Sequence, residues 1–149
     1  MSLDVHLIST APIPRRSSGI FVRKDDGIEE ITREEWDYAN PGHEPTIVEA
    51  ISVKRCVHSS NITHNLGKMA EAAGIYKQLW RPEEIGISVA RELVEPLRAG
   101  LAALRAEPSK FKKYDSPNGW GLYEHFVPFV AEYLAACEDN PDATVEADR

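Results

Sequence analysis

The spacing of apolar positions changes once along this chain, near His58. Before that point apolar residues come in short alternating runs bounded by turn formers, and after it they recur at helical intervals. Asp4 to Ser9 is a short strand candidate, and Pro12, Pro14 and Ser17-Ser18-Gly19 form a loop that cannot join a regular ladder. Ile20 to Arg23 and Ile28 to Ile31 are β-prone runs on either side of Lys24-Asp25-Asp26-Gly27, where Asp-Gly suits the positive φ angles of a tight hairpin. Thr32 and Glu35 have capping-box spacing, which predicts a short helix from Arg33 to about Ala39, ending before Asn40-Pro41-Gly42. Thr46 to Val57 carries the strongest strand pattern. Its alternation is imperfect, so a central bulge or a partly covered second face is expected.

From Ser59-Ser60-Asn61 the period becomes helical. Ile62, Leu66, Met69, Ala70 and Ala73 share one face, Asn61 or Ser60 is placed to cap, and Gly74 falls where a left-handed residue ends a helix. Gly67 lies inside that span and costs about 1 kcal/mol relative to Ala, which predicts close packing on another backbone. Ile75 to Trp80 is an apolar connector with helical tendency. Pro82 suits the first position of the next helix, with Glu83 and Glu84 against the positive end of its dipole. Ile85, Val89, Leu93, Leu97, Leu101 and Leu104 form its stripe, and Pro96 makes it either one kinked helix or two. A polar stretch from Glu107 to Gly121 precedes a last helix from about Leu122 to Glu138, interrupted by Pro128. The tail from Asn140 is acidic; residues 139–149 are expected to be mobile, with Thr144-Val145 open as a short edge strand. The expected architecture is α+β: a small antiparallel N-terminal sheet of three or four strands packed against three to five helices from residue 60 onward. A single domain over 1–149 is expected, strand-rich over 1–57 and helical over 60–138, since 149 residues can bury about 68–70% of their unfolded surface in one core.

Composition narrows the function classes. Twenty-four acidic against 17 basic residues give a formal net charge of -7, and the basic clusters Arg15-Arg16 and Lys110 with Lys112-Lys113 are short. Affinity for phosphate backbones rests on cationic density, so nucleic acid is not an expected partner. No apolar run approaches the roughly 20 residues that span a bilayer, and the start carries Asp4 and His6 where a signal peptide would carry basic residues. A cytoplasmic location without membrane partner follows as an expectation, and the sequon Asn61-Ile62-Thr63 is then silent. Cys56 and Cys137 form no CxxC or CxxH pair and read as buried small hydrophobes.

Candidate chemistry concentrates in two places. Asn61, His64, Asn65 and Lys68 lie on neighbouring faces of the expected helix start, putting amide, imidazole and ammonium groups where carboxylates or phosphates are favoured. Capping by Asn61, a loop contact for His64 and solvation of Lys68 would account for the same residues. The second cluster is Asn118-Gly119-Trp120-Gly121 with Tyr123, Glu124 and His125. A tryptophan between two glycines can lie across a groove as a flat ligand platform or plug the core under a turn. Among the five histidines no HxxxH or HExxH pair occurs, and only His58 with His64 and either Glu124 or His125 is worth considering for a metal, so no metal or cofactor is expected. Ser59, Ser60 and His64 could be drawn into a triad, but no GxSxG elbow marks a nucleophile, and no Walker or GxGxxG loop is present. Trp80-Arg81-Pro82-Glu83-Glu84 is explained by helix-start chemistry alone.

Asn61-Ile62-Thr63-His64-Asn65-Leu66, Met69-Ala70, Ala73-Gly74-Ile75-Tyr76, Leu79 to Glu84, Asn118 to Gly121, Tyr123-Glu124 and Phe126-Val127 together resemble a family of short uncharacterised bacterial and phage-encoded proteins. The likeness runs from roughly Val53 to the C-terminus; Pro128 looks atypical for it. It implies a bacterial or phage source and an accessory role, and no catalytic residue. Two functions are therefore carried forward. One is a non-catalytic interaction or regulatory module with a protein partner or a second copy of the chain. The other is a small-molecule or metal-binding protein, enzymatic or not, with a polar site where Asn61, His64, Trp120, Tyr123 and Glu124 converge.

Overall fold

The computed structural model describes residues 2–10, 18–48 and 54–149. In chain order its regular elements are β1 (Ser2–Ser9), β2 (Ile20–Lys24), β3 (Gly27–Ile31), α1 (Arg33–Ala39), β4 (Arg55–Thr63), α2 (Gly67–Ala72), α3 (Tyr76–Trp80), α4 (Arg91–Ala106), α5 (Pro108–Lys112), α6 (Tyr123–Asp139) and β5 (Thr144–Asp148). Short 3-10 turns cover His64–Leu66 and Pro82–Ile85. The fold is α+β with antiparallel sheets of three and two strands, as the change of period predicts. Two compact units divide the chain, one comprising 1–9 with 54–149 and the other 10–53.

The smaller unit holds the β2–β3 hairpin and α1. The hairpin forms where expected, with Lys24 opposite Gly27, but Asp25 and Asp26 keep negative φ and only Gly27 turns positive, at 135°. The glycine thus serves the strand start after the turn. The capping box is present: Glu35 N–H donates to Thr32 Oγ1 at 3.2 Å and Thr32 N–H to Glu35 Oε2 at 2.7 Å. Those bonds hold the Glu35 carboxyl below the usual carboxylate range, the Thr32 backbone N–H being the larger cause.

In the larger unit β1 is the middle strand of the sheet, with order β4-β1-β5. Leu3, Val5 and Leu7 alternate with Ser2, Asp4 and His6, so period-2 patterning puts three apolar side chains on one face, all fully buried. Opposite them on β4 stand Ile62, Ser60 and His58. His58 stacks on Tyr133 of α6, their rings 5.5 Å apart and inclined at 20°. The strand expected over Thr46–Val57 is therefore displaced. Residues 46–48 are not strand, 49–53 lie outside the described residues, and β4 runs from Arg55 through Thr63. Pairing of Leu3 with Ile62 and Asp4 with Asn61 extends the strand into a segment whose local spacing is helical, and the tertiary partner decides. The pairing of β4 with β1 has a register shift between Leu7 and Ile8 that skips Val57, at the end of the span expected to be strand, while the centre of that span, where a bulge was one expectation, lies outside the described residues. Cys56, on this strand, is exposed, contrary to expectation, because it sits at that irregularity near the strand start; Cys137 is buried, and burial pushes its thiol up to about 12.

Thr63, not Asn61, caps the helical segment, its Oγ1 accepting from Asn65 N–H. Gly74 ends α2 with φ 76°, its N–H bonding to Glu71 O and that of Ile75 to Ala70 O, the Schellman pattern. Gly67 does not meet another backbone. A Cβ there would sit 3.4 Å from the Tyr76 ring, an ordinary contact. The close approach falls instead at Gly100 of α4, where an added Cβ would lie 2.4 Å from Ile75 Cγ2. Of the predicted stripe, Leu93, Leu97, Leu101 and Leu104 are buried, while Ile85 is exposed because Pro82 opens only a 3-10 turn stopped by Gly86 at φ 74°. The helix starts later, where Glu92 Oε2 accepts from Ser88 and Val89 N–H at 2.8 and 3.1 Å. Pro96 is accommodated within one helix. Residues 144–148 pair with β1 as an edge strand, and Ala90 and Val145 N–H bond across to Ala143 O and Ser88 O, tying that strand to the start of α4.

Gly100→Ala should destabilise the protein by about 1 kcal/mol or more, because overpacking against the stiff, buried Ile75 exceeds the helix-propensity gain of alanine. A thermal scan should show a Tm lowered by several degrees. Burial depresses the His58 pKa, so the unfolded chain binds its proton first on acidification. The His58 contribution is complete above about pH 6.5 and is lost as pH falls from there through the lower folded pKa. His58→Gln should show a smaller drop in Tm between pH 7.5 and 5.5 than the parent.

Candidate functional site

The Gly119–Gly121 turn is locked onto the end of β4. Ser116 N–H donates to Gly121 O at 3.0 Å, Gly119 N–H to Ser116 O at 2.9 Å, and Trp120 N–H to Asn118 Oδ1 at 2.9 Å. From across the unit, Asn65 Nδ2 donates to Trp120 O at 2.7 Å. Gly121 is buried with φ 110°, and a Cβ on it would stand 2.9 Å from Asn65 Cβ and 3.2 Å from Thr63 Cγ2. Glycine is needed there twice, for the dihedral and for the space. Consequently the backbone on both sides of Trp120 is fixed while its side chain remains free: Trp120 is 71% exposed. The core-plug reading of this tryptophan is thereby excluded.

Beside the indole runs an open groove of about 600 Å³. Ile62, Leu66 and Phe129, all buried, provide an apolar floor, with Pro128 of α6 adjoining. One wall is β4, and consecutive residues Ser60, Asn61, Ile62 and Thr63 all line it. Successive strand side chains point to opposite faces, so a groove touched by four in a row lies against the strand's edge. Among the described residues that edge has no strand partner, since β4 is terminal in its sheet. Glu124, His125 and Glu132 supply the opposite wall.

The rim is rich in acceptors. Asn61 Nδ2 donates to Asp4 Oδ1 at 2.7 Å. Pro128 has no N–H, so the Glu124 backbone carbonyl loses its helical partner. Among the described residues the one ion-pair neighbour of Glu124 is His125 Nε2, at 3.8 Å, and Glu132 acts electrostatically on His58. Among the described residues no lysine or arginine lines the groove.

The residues singled out in the sequence are thus separated. Asn61, Trp120 and Glu124 meet in the groove, and Asn65 supports its floor from behind. His64 and Lys68 line a different depression, of about 360 Å³, together with Tyr114 and Asp115. The His64 ring turns edge-on to Trp80 at 6.3 Å, with Nδ1 buried and, among the described residues, without a hydrogen-bond partner. Tyr123 is a packing residue: its hydroxyl donates to Leu104 O at 2.8 Å and its N–H to Asp115 Oδ1 at 2.6 Å, fixing the start of α6 against α4. The helix-start anion site loses its basis, because Asn61 belongs to a strand and α2 has six residues, too few peptide dipoles to attract an anion strongly. Among the described residues no group of three or more His, Cys, Asp or Glu could hold a metal, which includes the combination of His58, His64 and Glu124 or His125. Glu132 and Phe129 were not among the candidate site residues in the sequence, and Pro128 stood out there only as an interruption of the last helix. Their signal is the spacing of Glu124, Pro128 and Glu132 at four-residue steps on one helix face.

No family model, no curated protein and no solved structure matches the chain.

Gly121→Ala should displace the Trp120 turn and destabilise the protein by about 1–3 kcal/mol, through strain at positive φ and overlap with Asn65. Asn65→Ala removes one exposed hydrogen bond and should cost at most about 1 kcal/mol. In 5-fluorotryptophan ¹⁹F spectra both variants should shift or broaden the Trp120 line while leaving that of buried Trp80 in place.

Proposed function

We propose that the protein is a non-catalytic interaction module that receives an extended segment of a protein partner in the groove between the β4 edge and α6, with Trp120 as the anchoring contact. The observation that carries this reading is a large indole held on rigid backbone yet left in solvent above an apolar floor. Tryptophan is enriched among residues that dominate binding energy, and a pre-positioned one loses little entropy on contact. The open strand edge offers backbone donors and acceptors to an extended chain, a recurring mode of peptide recognition. An open trough also suits a polymer segment better than a small molecule, whose sites usually enclose about 70–90% of the ligand. Among the described residues no nucleophile with an adjacent base and orienting group lies in the groove; Ser60 Oγ pairs with His58 Nε2 at 3.0 Å, but His58 stacks on Tyr133 and no described carboxylate hydrogen-bonds it. In this reading the module works in the cytoplasm as a bacterial or phage accessory protein, in keeping with the family resemblance. Among the described residues no helix is long and apolar enough to cross a membrane.

Trp120→Ala tests the proposal without disturbing the fold, since removal of an exposed side chain should change stability by no more than about 0.5 kcal/mol. A displayed random-peptide library panned against the full chain should yield binders that Trp120→Ala loses roughly 30-fold or more, the cost of truncating an anchor residue. Absence of binders, or binders indifferent to Trp120, would overturn the reading.

A further inference from the structure

We infer that the segment received by this groove is basic, presenting lysine or arginine side chains to Glu124 and Glu132 on either side of an apolar contact with Trp120. This rests on the proposed peptide-binding function and adds the chemical class of the partner. The argument is charge complementarity. Among the described residues that line the groove the fully charged side chains are Glu124 and Glu132, and none is lysine or arginine. Three nearby amide donors are already engaged. Asn61 Nδ2 is taken by Asp4, Asn65 Nδ2 by Trp120 O, and Trp120 N–H by Asn118.

An acidic or neutral segment would leave these two carboxylates dehydrated and unpaired, an expense an ammonium or guanidinium group removes. The two carboxylates are eight residues apart on α6, about 12 Å along the helix axis, with the apolar floor between their turns. One cation cannot serve both, so two basic residues flanking an apolar one fit better than a single charge. The indole strengthens the preference, because a cation over an aromatic face is attracted by the ring quadrupole. The net charge of -7 acts in the same direction at longer range, drawing basic segments towards the surface.

Elsewhere the chain applies this chemistry to itself. Glu83 receives Arg149, Glu138 receives Arg98, and Glu84 receives Arg81. Glu124 and Glu132 have no such arginine or lysine among the described residues, although both stand on the same helix as Glu138.

The same library, panned against the full chain, separates this inference from the function beneath it. The expected pool is enriched in lysine and arginine over the input, binds several-fold more weakly in 500 mM than in 50 mM salt, and binds roughly tenfold more weakly to the neutral pair Glu124→Gln/Glu132→Gln. The reversed pair Glu124→Lys/Glu132→Lys should turn the enrichment towards acidic peptides, with circular dichroism and Tm confirming that both variants fold. A Trp120-dependent pool without basic bias, or one unaffected by the Gln pair, would overturn the inference and leave the peptide-binding function standing. Loss of all Trp120-dependent binding would overturn both. Competition by a free alkyl diamine at concentrations equal to the peptides would also overturn it, since the groove would then select the amine alone.

Discussion

In the larger unit everything turns on β1, which must bury one face and pair along both edges at once. Leu3, Val5 and Leu7 are fully buried against the helices, and no water can then serve the strand's backbone on that side. Both edges are therefore occupied, by β4 and by β5, and both of those strands come from the far part of the chain. Register then follows without further choice. A slip of one residue would send Leu3, Val5 and Leu7 to the polar face beside Asn61 and Ser59. Holding Ile62 opposite Leu3 places Thr63 at the strand end, where it caps the next turn and lies against Gly121. The groove is a consequence of that register, because the strand edge that bounds it is the edge left over once β1 is saturated.

This explains which parts of the fold were legible in the sequence. Signals that depend on neighbouring residues are found where expected: the capping box at Thr32 and Glu35, the left-handed Gly74, the turn at Asp25-Asp26-Gly27, and the Leu93 to Leu104 stripe. Signals decided by distant partners were displaced. Ile62, Leu66 and Met69 have helical spacing, yet Ile62 is claimed by Leu3, 59 positions earlier, and the helix must wait until the strand pair ends. Likewise Ile85 fits the periodic stripe, but Gly86 in the left-handed region separates it from α4. Gly67 and Gly100 look equivalent in sequence; only the position of Ile75 tells them apart.

The candidate site was half legible for the same reason. Asn118-Gly119-Trp120-Gly121 stands out locally, since two glycines about a tryptophan have a meaning that does not depend on tertiary structure. Its partners could not be chosen from spacing. His64 and Asn65 are adjacent in sequence, but the 3-10 turn directs one ring towards Trp80 and sends the other side chain to the carbonyl of Trp120. Glu132 gives no signal alone, and acquires one only when Glu124 and Pro128 are seen to share its helix face beside the groove.

Pro128 links fold and site most closely. Within a helix a proline removes one hydrogen bond and costs roughly 3 kcal/mol where nothing compensates. A core position would leave the released carbonyl buried and unpaired, whereas here the proline is exposed on the helix face that lines the groove. Helix stability is held elsewhere, through the Tyr123 bonds to Asp115 and Leu104 at the start of α6 and the fully buried Phe126, Val130 and Tyr133 along its inner face. Because those anchors lie on the opposite side from Glu124, Pro128 and Glu132, the outer stripe of α6 can vary without loosening the core. A binding surface placed there can change its partner preference while the β1-centred fold stays the same.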